Sequence, residues 1–158
     1  MGEAYDALME RMRELDVIGQ IDGLLGWDQE VMMPPKGAKL RAEDRAWISK
    51  EGHARMTAPE VGELLAAAES EANGSEVSQG NLRIIRDSYD KATKKPPEFV
   101  EEFARHRSKS IVTWTEAREK DDFSIFRDDL AKMIDMSREL AGYLGYEDNP
   151  YDALLDLY

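Results

Sequence analysis

Cysteine is absent from the 158-residue chain. Disulfides, thiolate nucleophiles and cysteine-ligated metals are therefore excluded. Histidine is scarce: only His53 and His106 occur, on different predicted helices. Neither has a second histidine four residues away, as the His-Glu-x-x-His zinc motif requires. Neither follows a glutamate by three residues, as a di-iron bundle requires; Lys50 and Phe103 stand there. The two histidines read as ordinary surface or half-buried residues, and no metal ligand is assigned. Glycine-rich phosphate loops and Gly-x-Ser-x-Gly elbows are missing as well. No run of about 18 apolar residues exists to span a membrane. No basic start followed by an apolar stretch marks a secretory signal, so the cytoplasm is the expected location. Positive charge is also short, with 21 basic against 33 acidic residues and a net charge of −12. Such a field repels phosphate backbones and anionic lipid, which argues against nucleic acid and membranes as partners. Nothing singles out an acid–base pair among the 33 acids, and no catalytic residue is assigned.

What is present is helical periodicity. Strand-like alternation and fixed-period repeats are not found. Tyr5, Leu8, Met12, Leu15, Ile18, Ile21 and Leu25 recur in steps of three and four, which predicts a first helix near residues 4–26. Gly19, Gly23 and Gly26 weaken its second half or allow another backbone to approach. Pro34-Pro35 stops it. A second helix is predicted near 37–55, and Thr57-Ala58-Pro59-Glu60 reads as a capping box opening a short third one. Asn73-Gly74-Ser75, a glycosylation sequon by pattern, reads as a helix–helix turn. Further helices are predicted near 77–93, 97–120 and 124–143, with Gly145 as a C-terminal stop and a last turn from Pro150 to Tyr158. Phe103, Ile111 and Trp114 share a stripe on the fifth, which makes Trp114 a core candidate. The expected fold is all-α, an antiparallel bundle of about six helices, with residues 1–158 as a single helical domain.

The most distinctive string runs from Leu24 to Pro35 and sets Trp27, Asp28 and Gln29 beside Met33. Two readings stand. Either Trp27 walls a groove in which Asp28 and Gln29 offer polar contacts, or Trp27 and Met33 are core and Asp28 makes a local turn bond. Arg41 and Arg45, one turn apart, either grip a substrate carboxylate with their planar forks or pair with acids such as Glu43, Asp44 or one across a helix interface.

Trp27-Asp28-Gln29-Glu30 followed by Met33-Pro34 resembles the N-terminal signature of the carboxypeptidase Taq family, peptidase family M32. Arg41 follows where that family has an arginine. Arg86-Asp87-Ser88-Tyr89 with Pro96-Pro97, Trp114-Thr115-Glu116-Ala117-Arg118 with Asp122-Phe123, and Pro150-Tyr151-Asp152-Ala153-Leu154-Leu155-Asp156 are similar to its later segments, in the family's order. The resemblance implies the N-terminal part of a mostly helical, zincin-type, usually homodimeric metallocarboxypeptidase. Such an enzyme releases residues one at a time from peptide C-termini. Its zinc would be held by a His-Glu-x-x-His pair and a downstream glutamate, all beyond the point matching Tyr158. By that reading no zinc site lies in this chain. The chain would be scaffold and groove cover, with Trp27, Asp28, Gln29, Met33 and Arg41 as substrate-groove candidates. Its partner would be the catalytic part or a second copy, with peptide bound only by a complete enzyme. The alternative is a stand-alone, non-catalytic interaction or dimerisation module.

Overall fold

Prolines and Gly145 stand at most of the breaks between helices, and Asp121, at φ 50°, stands at another. The computed structural model describes residues 2–71 and 75–157; Asn73, Gly74 and Tyr158 of the expected turns lie outside them. Among the described residues there are seven α-helices and no strand: α1 Glu3–Val31, α2 Ala38–Met56, α3 Pro59–Ser70, α4 Glu76–Thr93, α5 Pro97–Glu119, α6 Ser124–Leu144 and α7 Pro150–Leu155. A short 3-10 turn, Pro35–Gly37, joins α1 to α2. The expected all-α fold is present, with the segment after Gly145 adding a seventh short helix.

Cross-helix pairs fix the directions. Asp22–Arg45 and Asp28–Arg41 run α1 against α2, and Glu43–Arg105 and Lys50–Glu101 run α2 against α5. Glu102–Lys132 and Asp129–Lys109 run α5 against α6. In each set, rising numbers on one helix meet falling numbers on the next, so neighbours are antiparallel. The main core lies elsewhere. Tyr5 and Leu8 of α1 pack with Val61, Leu65 and Ala68 of α3 and Leu82 and Ile85 of α4. Asn81 donates to the Tyr5 hydroxyl at 2.9 Å, so that buried oxygen is satisfied. A smaller cluster, Ala141, Leu144 and Ala153, seats α7 on α6.

Two local expectations are corrected. The α3 start has Ala58 as its N-cap without a side-chain bond, and Thr57 Oγ1 donates backwards to the His53 carbonyl at 2.8 Å. Thr57 therefore closes α2 and does not open α3. Further on, α1 runs past Gly26 to Val31, and Asp28's carbonyl closes its last turn by accepting from both Met32 and Met33 at 2.9 and 2.8 Å. Gly145 does end α6, at φ 85°, a left-handed value that glycine adopts without strain.

Candidate functional site

The C-terminal turn of α1 carries its residues outwards in three directions. At about 100° per residue, neighbours 27, 28 and 29 cannot share a face. Trp27 points out, 55% exposed. Asp28 faces α2, where Arg41 Nη2 donates to it at 2.6 Å; Arg41 Nη1 donates to the Leu25 carbonyl at 2.5 Å. Arg41 Nε is buried and finds no acceptor. Gln29 faces inward and is buried. Its amide donates to the Ser108 carbonyl at 3.0 Å, and its oxygen accepts from Ser108 Oγ at 2.8 Å. These bonds tie the end of α1 to the middle of α5. Met33 packs on Gly37, where a Cβ would meet Met33 Cγ at 3.1 Å.

The five candidates therefore do not converge. Gln29 and Met33 line a cleft of about 720 Å³ between the α1 end and α5, with Pro35, Ile111 and Trp114 as further walls. Asp28 and Arg41 form a strut between α1 and α2. Arg45 does the same one turn on, held by both Asp22 oxygens at 2.8 Å; that bond holds its guanidinium above the ordinary value despite partial burial. Both arginines have acid partners across the helix interface, one of the alternatives read from the sequence.

Trp114 is not core: it is 47% exposed, with the Arg118 guanidinium 5.5 Å from its ring centroid. The reason is that α5 runs past the end of α1, so no helix covers this flank. The buried positions of α5 are instead Phe99, His106, Ser108, Ser110 and Ala117. The histidines are also corrected from surface or half-buried to buried. His106 Nε2 sits 3.0 Å from the Asp129 carbonyl on α6. His53 is held low by burial and by the Lys95 ammonium, against a bond to the Lys95 backbone. Beside His106, burial pushes the Asp129 carboxyl up, but Lys109 and Thr113, at 2.9 and 2.8 Å, outweigh it and hold it below its ordinary value. Sequence reasoning missed Ser108 and the rim position of Trp114; no local pattern singled out Ser108, a small polar residue beside the charged Arg107 and Lys109.

The outer face holds a different feature. Val17, Ile21, Leu24, Trp27 and Val31 of α1 are all about half exposed or more. Leu40 and Trp47 on α2 add to them at 68% and 62%. Isolated exposed apolar residues are ordinary; an aligned set of this length is not. Among the described residues no helix is long and apolar enough to cross a membrane. Nor do any three of histidine, aspartate and glutamate group closely enough to hold a metal ion. The described donor set therefore does not fit a resident metal, and no chemical step is assigned to one.

A sequence profile of the carboxypeptidase Taq (M32) metallopeptidases matches residues 7–158. Thermostable carboxypeptidase 1 of Pyrococcus furiosus is 38% identical over 156 residues, which cover 99% of this chain and 31% of that protein. A solved Pyrococcus furiosus carboxypeptidase superposes with a TM-score of 0.79 at 37% identity, over 100% of this chain and 32% of its own. The crystal structure of BsuCP superposes with a TM-score of 0.95 at 26% identity, over 99% and 32%. The chain spans about a third of the length of these relatives.

Proposed function

The chain belongs to the carboxypeptidase Taq (M32) metallopeptidase family, and from that premise we propose that it is the helical scaffold and groove wall of a zinc metallocarboxypeptidase. In this reading the catalytic part, with the zinc ligands and the water-activating carboxylate, packs on the outer face of α1 and α2. The complete enzyme releases C-terminal residues from peptides. The observation that carries the reading is the aligned apolar face from Val17 to Val31 with Leu40 and Trp47. The surface area agrees. The chain exposes 10337 Å², whereas a compact monomer of its 18.0 kDa mass exposes about 8,000 Å². The excess is on the order of a protein–protein interface.

The test is reconstitution. The chain is mixed with zinc and with the part of the Pyrococcus furiosus relative that lies beyond the matched segment. Release of the terminal residue from a blocked dipeptide is then followed. The expected result is chelator-sensitive turnover in the mixture and none from either part alone. Chelator-sensitive turnover by the chain alone, or a mixture that neither binds nor turns over, overturns the proposal. A second reading, a self-associating module, is favoured by the spacing of Val17, Ile21, Leu24 and Val31. Their alternating steps of four, three and seven fit a helix–helix seam. Light scattering over a concentration series separates the two, since this reading requires a dimer without any added part.

A further inference from the structure

Three lysines stand at the C-terminal end of α4, and each reaches a different helix. The Lys91 ammonium donates to the Asp156 carbonyl at the end of α7, at 2.8 Å, and pairs with the Asp156 carboxylate at 2.7 Å. The Lys94 ammonium donates to the Leu144 carbonyl at the end of α6, at 2.8 Å. Both set a cation on a helix end, where carbonyls lack partners within the helix. Lys95 reaches α2, where the His53 ring bonds to its backbone. Its half-buried ammonium, among the described residues, meets no carboxylate.

His53 is 8% exposed, so a proton on its ring puts a second cation into the same buried corner. Its carbonyl accepts from the Thr57 amide at 2.9 Å and from Thr57 Oγ1 at 2.8 Å, which seats the ring on the closed last turn of α2. Carboxylates on the surrounding elements are engaged elsewhere. Glu51 of α2 pairs with Arg55, and Asp87 of α4 with Lys91. On α5, Glu101 is held by Lys50 and Arg105, and Glu98 acts on Lys50. On α1, Glu14 and Asp22 pair with Arg11 and Arg45, and Glu60 of α3 shares Arg11. The charge that acts on the ring is the Lys95 ammonium, of like sign. Burial and that ammonium hold the imidazole below its ordinary value, against the backbone bond. Burial and Lys91 hold the Lys95 amine down in the same way.

We propose that His53 and Lys95 make the joint between α2 and the α4–α5 corner an acid-released latch. While the ring is neutral, it packs in the corner and bonds to the Lys95 backbone. A proton on the ring sets two cations together with no carboxylate between them, and the corner parts so that water reaches both. An imidazole freed by opening titrates near about 6.5. Above that pH both forms are neutral and the latch holds fully. Below it only the open form takes the proton, so the hold is lost as pH falls. Where the closed corner excludes the proton entirely, the opening constant rises about tenfold from about pH 7.5 to about pH 5.5. Unshifted carboxylates titrate below this window. The device is independent of the peptidase reading.

Proton NMR of the imidazole rings follows both histidines of the full chain from about pH 8 to about pH 5, and His53→Gln assigns the signals by removing one. Amide-exchange protection factors are read over the same range. The expected midpoint of His53 lies below that of free imidazole, and Lys95→Met moves it up. The Thr57 and Lys95 amides, bonded to the His53 and Ala92 carbonyls, should lose protection several-fold, up to about tenfold, by about pH 5.5. Leu65 and Leu82 of the main core should keep theirs. His53→Gln retains a donor for the Lys95 backbone and should abolish the pH-dependent loss. Lys95→Met leaves α2 unchanged and removes an unpaired half-buried charge, so it tests the latch even where His53→Gln folds poorly. A His53 midpoint at or above that of free imidazole, or one unmoved by Lys95→Met, overturns the proposal. So does a loss of protection that survives His53→Gln. Equal loss at Leu65 and Leu82 overturns it too, because the whole chain, and not the corner, is then opening.

Discussion

Gln29 and Ser108, both buried, exchange two hydrogen bonds at the base of the cleft. A buried polar group that loses its partner costs about 1–3 kcal/mol. Ser108→Ala strands the Gln29 oxygen, and Gln29→Ala strands the Ser108 hydroxyl, while the Ser108 carbonyl keeps its bond within α5. Each single variant should therefore lose about that much stability in urea unfolding. The double variant should lose clearly less than the sum, because the second truncation removes a group already stranded. Strict additivity would mean the pair does not interact. Gln29 is conspicuous in the sequence only as a neighbour of Trp27. Its partner lies 79 residues away, and no local pattern reports such a pairing. The same limit explains Trp114. Its place on an apolar stripe is correct, but whether a stripe is covered depends on which helix ends where, and α1 ends too early to cover it.

At the scale of elements, α1 is two helices in one. Its first half is clamped by α3 and α4, and its second half meets α2 and, through Gln29, α5. Helix existence was legible because proline and glycine leave no alternative at Pro34-Pro35, Pro96-Pro97 and Gly145. Helix ends were legible less well. Thr57 matches a capping pattern yet bonds to the previous helix, since a threonine hydroxyl can also close a preceding turn. The glycines of α1 separate packing from propensity. A Cβ at Gly19 or Gly23 meets nothing within 4 Å, whereas one at Gly62 meets the Tyr89 hydroxyl at 2.5 Å. Gly19→Ala and Gly23→Ala should each stabilise the isolated chain by about 0.5–1 kcal/mol, raising its melting temperature by roughly 1–4 °C. Gly62→Ala should lower it, because the added methyl would displace the tip of the Tyr89 ring from its place against α3. If the two α1 variants leave reconstituted turnover intact, no backbone closes on that side of α1. A gain in stability coupled to a loss of reconstitution places the catalytic part against Gly19 and Gly23.

For the molecule as a whole, the three tryptophans are built-in reporters. Trp27, Trp47 and Trp114 are 55%, 62% and 47% exposed, although aromatic side chains normally contribute most to a core. Their emission in the isolated chain should lie close to that of the unfolded chain, and acrylamide should quench it almost as well. Trp27 and Trp47 sit on the outer face of α1 and α2, while Trp114 sits at the cleft with Met33. Packing of a catalytic part on the outer face removes water from the first two. The emission should then shift to shorter wavelength on reconstitution, and quenching should fall. Trp114→Phe should keep that shift, and the double variant Trp27→Phe/Trp47→Phe should abolish it. A shift carried by Trp114 alone would put the catalytic part at the cleft. Emission that is already blue and poorly quenched in the dilute chain would mean the outer face is covered by a second copy. Dilution distinguishes that case, because a self-made cover dissociates as concentration falls. The net charge of −12 opposes self-association at low salt and much less at high salt, where the screening length shrinks to a few ångströms. A cover made by a second copy should therefore strengthen as salt rises. One made by a catalytic part of complementary charge should weaken.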